Sequence, residues 1–294
     1  MVSYFDQISK NKWKSILLML VFFILFVAVI FIFTLFLGLG IFGLIISFIL
    51  VGVYALFTYY AGDKVILSIS RAKEADRKQY PGLYNIVEGL ALAQQLPTPK
   101  IYIMNDPNPN AFATGRSPKH ASVCVTTGLL EMMNKSELEG VLAHEMSHIG
   151  NNDIQFMMIA IVFAGVIGVI AMFARNLLFF GGGDRRDEGI LIVIALIIGI
   201  LAPIAATLIQ LAISRKREYM ADANGARLTR NPKGLADALK KIQQYSQDPS
   251  STPVKHASEV TAPLYISNPL KNASNLFSTH PPIEERIKIL ESMY

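Results

Sequence analysis

Leu142-Ala143-His144-Glu145-Met146-Ser147-His148 reads H-E-x-x-H inside the run 137–150. On a helix, positions i and i+4 lie one above the other on the same face, so His144 and His148 can bring two imidazoles to one metal ion. Glu145 directly follows the first of them. It comes beside the ion without having to bind it, where a carboxylate can take the proton from a metal-bound water. Helix is the expected local state, because Ser136-Glu137-Leu138-Glu139 offers an N-cap hydroxyl with a carboxylate at the third position, and Gly150-Asn151 offers a stop. The competing reading is an ordinary amphipathic helix with core histidines. It does not account for two of the chain's five histidines standing at ligand spacing around a glutamate.

The surroundings of that helix are those of a membrane protein. With 52% hydrophobic residues, 17% charged and a positive mean hydropathy, the 294-residue chain is more apolar than a soluble domain of its size requires. The formal net charge of +5 is modest, and Lys and Arg cluster beside apolar runs instead of forming a stripe interleaved with aromatics. Nucleic acid is therefore not an expected partner. The single cysteine, Cys124, cannot form an internal disulfide and reads as a small apolar strand residue, which suits a soluble part in a reducing compartment.

Residues 16–37 carry no charge for about 22 positions, long enough for a bilayer core at ~1.5 Å per residue. After Gly38-Leu39-Gly40 a second uncharged run, 41–61, spans again. A cleaved signal peptide is the competing reading. The first run exceeds a typical signal core and no small-x-small cleavage site precedes the second, so the hairpin is expected to be retained. Lys10, Lys12 and Lys14 precede it and Lys64, Arg71, Lys73, Arg77 and Lys78 follow, which places both flanks in the cytoplasm. Two further runs, 154–174 and 190–213, are joined by Gly181-Gly182-Gly183-Asp184-Arg185-Arg186-Asp187-Glu188 and closed by Arg215-Lys216-Arg217. Pro203 and Gln210 weaken the fourth run, for which an interfacial or inward-packed helix is the alternative. The expectation is a mainly α integral membrane protein: four transmembrane helices in two hairpins plus a cytoplasmic zincin-like α+β catalytic domain with a small β-sheet. Its parts are an N-terminal hairpin (1–62), a first catalytic part with the sheet and the H-E-x-x-H helix (63–152), a second hairpin (153–214) and a second catalytic part (215–294). Both termini and the H-E-x-x-H helix are expected on the cytoplasmic side of the membrane.

Within the soluble parts, 82–95 has helical spacing and 100–104 reads as a strand. A turn-rich stretch, 105–109, leads to 110–115 and 121–127, a β-hairpin running into the catalytic helix and leaving an exposed sheet edge. Helices are expected over 218–228, 233–245 and 282–293, with 246–279 as a long polar loop, part of it mobile.

Catalytic zinc takes three protein ligands and keeps one open position, so one ligand remains to be found among the carboxylates or His120, His256 and His280. His148 lies about six residues before the third apolar run and Glu218 about five after the fourth. A hairpin between them returns Glu218 to the same face at similar depth. Asp222, four residues further on, is placed to accept a hydrogen bond from the outer nitrogen of a ligating histidine. Two unremarked carboxylates at a helix start are the competing reading.

The segments His144 to His148, Arg217-Glu218-Tyr219-Met220-Ala221-Asp222 and Ser278-Thr279-His280-Pro281-Pro282-Ile283-Glu284-Glu285-Arg286 together resemble the HtpX group of membrane zinc endopeptidases, relatives of the CAAX prenyl endopeptidase. The resemblance covers nearly the whole chain. It implies one Zn2+ per chain held by His144, His148 and Glu218, with Glu145 catalytic and Asp222 supporting a ligand. It also implies that His280 and Arg286 bind substrate or stabilise the oxyanion, and that Asn110-Ala111-Phe112-Ala113 lines the substrate cleft. An edge strand pairing with an extended peptide would be the physical form of that cleft. The substrates implied are membrane or misfolded proteins, cut at the lipid bilayer surface in quality control.

Two other functions compete. A site-2 type intramembrane protease also carries H-E-x-x-H, but in a lipid-buried helix; here Lys135, Glu137 and Glu139 precede the motif and Asn151, Asn152 and Asp153 follow it. Asn231-Pro232-Lys233-Gly234 is similar to the Asn-Pro motif of that class, yet its polar neighbours make it a turn and helix start. A non-enzymatic membrane protein with structural zinc would have no use for Glu145 or an open position, and would want more cysteine than Cys124 alone.

Overall fold

The computed structural model describes residues 39–160, 215–257, 261–269 and 281–293, together with scattered positions between 13 and 31 and Gly199. The expected first span, most of the second hairpin (161–214) and His280 lie outside the described residues. Helix α1, Gly40–Ile69, contains the second apolar run and is long and apolar enough to cross a membrane. Its outer face carries exposed Ile45, Phe48, Ile49, Leu56 and Phe57, as lipid contact requires. The helix does not stop where the apolar run does. It continues past Asp63 and Lys64 for about two turns, burying Ile66 and Leu67 against the sheet, so the expected boundary at 62/63 is no break in the chain. Backbone hydrogen bonding is indifferent to the change in polarity there, and the buried pair rewards its continuation.

Four strands follow: β1 (Lys73–Glu74), β2 (Lys100–Met104), β3 (Ala111–Gly115) and β4 (Ala121–Thr126), in the spatial order β1-β2-β4-β3. The expected hairpin is β3 with β4, antiparallel with Ala111 opposite Val125 and Gly115 opposite Ala121; β2 joins β4 in parallel. Both faces of this small mixed sheet are covered, and the strand period of two sorts the side chains. Ile101, Ala111, Ala113, Val123 and Val125 enter one core with α2 (Pro81–Ala93), while Met104, Phe112 and Cys124 enter another with Ile66 and Leu67 of α1.

Helix α3, Thr127–Met132, separates the sheet from α4, Lys135–Gly150, the H-E-x-x-H helix. The N-cap of α4 is Asn134, two residues before the expected Ser136. The Asn134 side chain accepts the Glu137 N–H at 3.0 Å while Glu137 accepts the Asn134 N–H at 2.8 Å, a reciprocal box that the serine, already inside the helix, cannot make. Beyond α4 the described residues are helical again over 153–160, and then in α5 (Arg215–Thr229), α6 (Pro232–Gln247) and α7 (Ile283–Glu291). α4 lies buried between α5, α6, α2 and the sheet, from Leu138 through Gly150 except for Glu139. It packs closest on α6, where a side chain on Gly140 would place its Cβ 2.6 Å from the Leu235 nitrogen. The polar loop expected over 246–279 is partly core. Tyr265 is fully buried with its ring 5.1 Å from that of Phe112, and the Ile266 N–H donates to the Ala111 carbonyl at 3.0 Å.

Candidate metal centre

His144 and His148 project from one face of α4 with their Nε2 atoms 3.2 Å apart and their rings edge to face. Across from them, α5 presents Glu218, Asp222 and Gly225, spaced four and three residues and therefore on one helical face. Glycine at 225 lets the two helices come close, since a Cβ there would stand 3.1 Å from the His144 nitrogen, a few tenths of an ångström inside ordinary contact. That close approach brings Glu218 to both imidazoles: Oε2 is 3.7 Å from His144 Nε2, and Oε1 is 3.5 Å from His148 Nε2. The outer nitrogens are each held by a carboxylate, His144 Nδ1 by Asp222 Oδ1 at 2.9 Å and His148 Nδ1 by Asp153 Oδ2 at 3.1 Å. An Nδ1–H donated to a carboxylate leaves the Nε2 lone pair for a metal.

Whether these residues fit zinc can be tested on distance and on charge. Donors ~2.0–2.1 Å from a tetrahedral zinc stand about 3.3–3.4 Å from one another, close to the separations seen here. Around the three ligand atoms lie four buried carboxylates (Glu145, Asp153, Glu218, Asp222) and two buried guanidiniums (Arg217, Arg286). When all are ionised, two negative charges are left over in a region shielded from water, the charge that one divalent cation would neutralise. The set fits.

The proton affinities follow the same surplus. Burial disfavours a charged His148, yet the carboxylates of Glu218 and Asp153 outweigh it and carry the ring to about 9. A cation binding there must displace that proton. Burial and the nearby Arg286 lower His144, against the pull of Asp222. Asp222 itself is held at about 2, because Arg286 more than offsets its burial. Glu145 is pushed up to about 7, chiefly by burial and by Glu218, with His148, Arg286 and the Ala113 backbone amide pulling the other way. Its Oε1 has no hydrogen-bond partner among the described residues. A carboxyl that exchanges its proton near neutrality and keeps one oxygen uncommitted is suited to general acid–base work.

Of the residues singled out from sequence, His144, His148 and Glu218 thus come together, and they are the metal-competent group among the described residues. Asp222 stands behind His144. His120 lies elsewhere, exposed, with its Nδ1 3.2 Å from Ser117 Oγ. Arg286, expected to face substrate or oxyanion, instead sits 1% exposed behind Asp222. It donates through Nε at 2.8 Å and Nη2 at 2.7 Å to the two oxygens of Asp222, and through Nη1 at 3.0 Å to the Ile266 carbonyl. Asn110, Ala111, Phe112 and Ala113 run along the sheet edge beside α4, but their side chains are buried. The Asn110 amide donates to the Ser267 carbonyl at 3.1 Å. Asp153 and Arg217, which in the sequence are only polar flanks of the 154–213 stretch, also belong to this site: Asp153 holds His148 and faces Arg217.

The chain is similar to known proteins. The model of Peptidase family M48 matches residues 77–294. A "Protease HtpX homolog" of Dictyoglomus thermophilum is 46% identical over 293 residues, covering 99% of this chain and 95% of its own. One from Caldanaerobacter subterraneus subsp. tengcongensis is 47% identical over 292 residues, covering 97% and 96%. One from Streptococcus thermophilus is 45% identical over 302 residues, covering 98% and 99%. Among solved structures, the crystal structure of S. mikatae Ste24p is similar over 83% of this chain and 57% of that one, with a TM-score of 0.48 and 20% identity.

Proposed function

This chain belongs to peptidase family M48 and is a membrane metalloendopeptidase, and we propose that it cuts extended segments of membrane or misfolded proteins at the cytoplasmic face of a bacterial plasma membrane, in quality control. The observation that carries this reading is the convergence of His144 Nε2, His148 Nε2 and the Glu218 carboxylate beside the uncommitted Oε1 of Glu145. In it, His144, His148 and Glu218 hold one zinc ion per chain, which when bound acts as a Lewis acid toward water and the scissile carbonyl. Glu145 takes the proton of the attacking water as its oxygen bonds to the carbonyl carbon. As the C–N bond breaks, Glu145 returns that proton to the leaving amine. Asp222 keeps the His144 ring in place and Arg286 keeps Asp222 ionised. His280, outside the described residues, is proposed to hold the oxyanion.

The substrate is proposed to lie along β3. Asn110 and Thr126 form a hydrogen-bonded pair, so alternation turns the main chain of Phe112 and Thr114 toward β4 and that of Ala111, Ala113 and Gly115 outward. Ile266 already holds Ala111, and Glu145 takes the Ala113 N–H. A peptide strand would pair with the Ala113 carbonyl and the Gly115 N–H, next to the general base.

Detergent-purified protein should degrade an unfolded substrate, and a zinc chelator should stop it until zinc is restored. Cleavage that continues at full rate after complete metal removal would refute the reading. The cytoplasmic orientation has its own test, single cysteines in a Cys124→Ala background labelled by an impermeant maleimide. Gly182→Cys should react in intact cells, and Ser68→Cys, at an exposed position near the end of α1, only once the membrane is opened. Labelling of Ser68→Cys in sealed cells would reverse the topology.

A further inference from the structure

Helix α4 ends at Gly150, and the chain turns through Asn151 and Asn152, the latter in the left-handed region at φ +58°, before helix resumes over 153–160. Asn is among the few residues that adopt that conformation at low cost. Beyond that turn Asp153 meets His148. Its Oδ2 lies 3.1 Å from His148 Nδ1, its Oδ1 lies 3.8 Å from Arg217 Nε, and the Arg217 guanidinium stands 5.0 Å from the Phe156 ring centre. All three residues are buried. Asp153 opens the stretch expected to form the second membrane hairpin, and Arg217 closes it, immediately before Glu218.

We propose that Asp153 is a positioning residue for His148 and that Arg217 latches it, so that one buried ion pair ties both ends of the second hairpin to two of the three metal-binding residues. The inference rests on the zinc reading given above. Asp153 accepts the Nδ1–H of His148 and so fixes the ring and its tautomer with Nε2 turned to the ion, as Asp222 does for His144. Asp222 has Arg286 to keep it ionised in the interior. Asp153 has Arg217, whose flat guanidinium can stack on Phe156 while facing the carboxylate, which a lysine cannot reproduce.

The test uses the full-length protein in detergent, with zinc affinity measured by chelator competition and ligand geometry by the visible spectrum of the cobalt-substituted form. Asp153→Asn should bind zinc ~10- to 100-fold more weakly than the parent and shift the cobalt bands, with helical content and elution volume unchanged. Arg217→Gln should weaken zinc in the same direction, Arg217→Lys should not restore it fully, and the Asp153→Asn/Arg217→Gln double variant should lose no more than Asp153→Asn alone. Parental affinity and spectrum in Asp153→Asn, or losses that simply add in the double variant, would overturn the inference while leaving the zinc site standing. A parent that takes up no zinc would overturn both. Should Asp153→Asn fail to fold, Asp153→Glu decides. It keeps the charge but displaces the carboxylate by a methylene, and unchanged affinity and cobalt bands there would equally refute the positioning role.

Discussion

Glu145→Gln is expected to reduce peptide cleavage by at least ~100-fold, the low end of what a positioned acid–base group contributes, while the protein keeps close to one zinc per chain. The two outcomes separate because Glu145 lies outside the ligand triplet yet beside it. Glutamine preserves the shape and the acceptor toward the Ala113 amide, but it cannot take a proton from water. The pH profile offers a second reading of the same group. Catalysis needs the ionised carboxylate, so kcat/KM should fall as pH falls through the carboxyl's pKa. Burial sets that value at about 7, and a bound cation lowers it. The acid limb of the zinc-loaded enzyme should therefore lie at or below about pH 7. Retained turnover in metal-loaded Glu145→Gln protein would remove Glu145 from the role of base.

What could be read from the sequence was what depends on local spacing. His144 and His148 meet because helical geometry puts i and i+4 on one face, and the strands 110–115 and 121–127 pair because the turn between them is short. Glu218 was reachable by one further step, a membrane hairpin that returns the chain to its starting face. Asp153 was not. Its contact with His148 comes just beyond a turn at a left-handed Asn152, and nothing in Asn151-Asn152-Asp153 distinguishes that turn from a polar boundary to an apolar run. Strand β1 is two residues long and leaves no period to detect. Tyr265 sits in a stretch of polar loop composition, so its burial against Phe112 follows from tertiary contact alone. Arg286 shows the limit of a resemblance. The motif around it marks the residue as important, but only geometry distinguishes a guanidinium facing substrate from one clamped on Asp222.

Glu218→Gln should lose the metal itself, in contrast to the change at Glu145, and cleavage should vanish with it. The carboxylate faces both Nε2 atoms, at 3.7 Å and 3.5 Å, and no other carboxylate among the described residues joins those two nitrogens in a metal-competent group. A neutral amide both weakens the donor and removes one of the two uncompensated negative charges that a divalent cation would balance. Loss of charge in the interior is felt at nearly full strength, since little water remains there to screen it. Asp222→Asn acts one step further out. It should weaken zinc by roughly 10- to 100-fold without abolishing it, because the His144 ring loses its anionic partner but keeps its Nε2. His280→Ala should retain zinc fully and lose rate, as expected of a group that acts on the oxyanion after the metal is in place. Zinc per chain, measured after dialysis against a graded chelator series, ranks the three. If Glu218→Gln held zinc as tightly as the parent while His280→Ala lost it, the ligand set would be three histidines, and Glu218 would be one more buried carboxylate in an electronegative pocket.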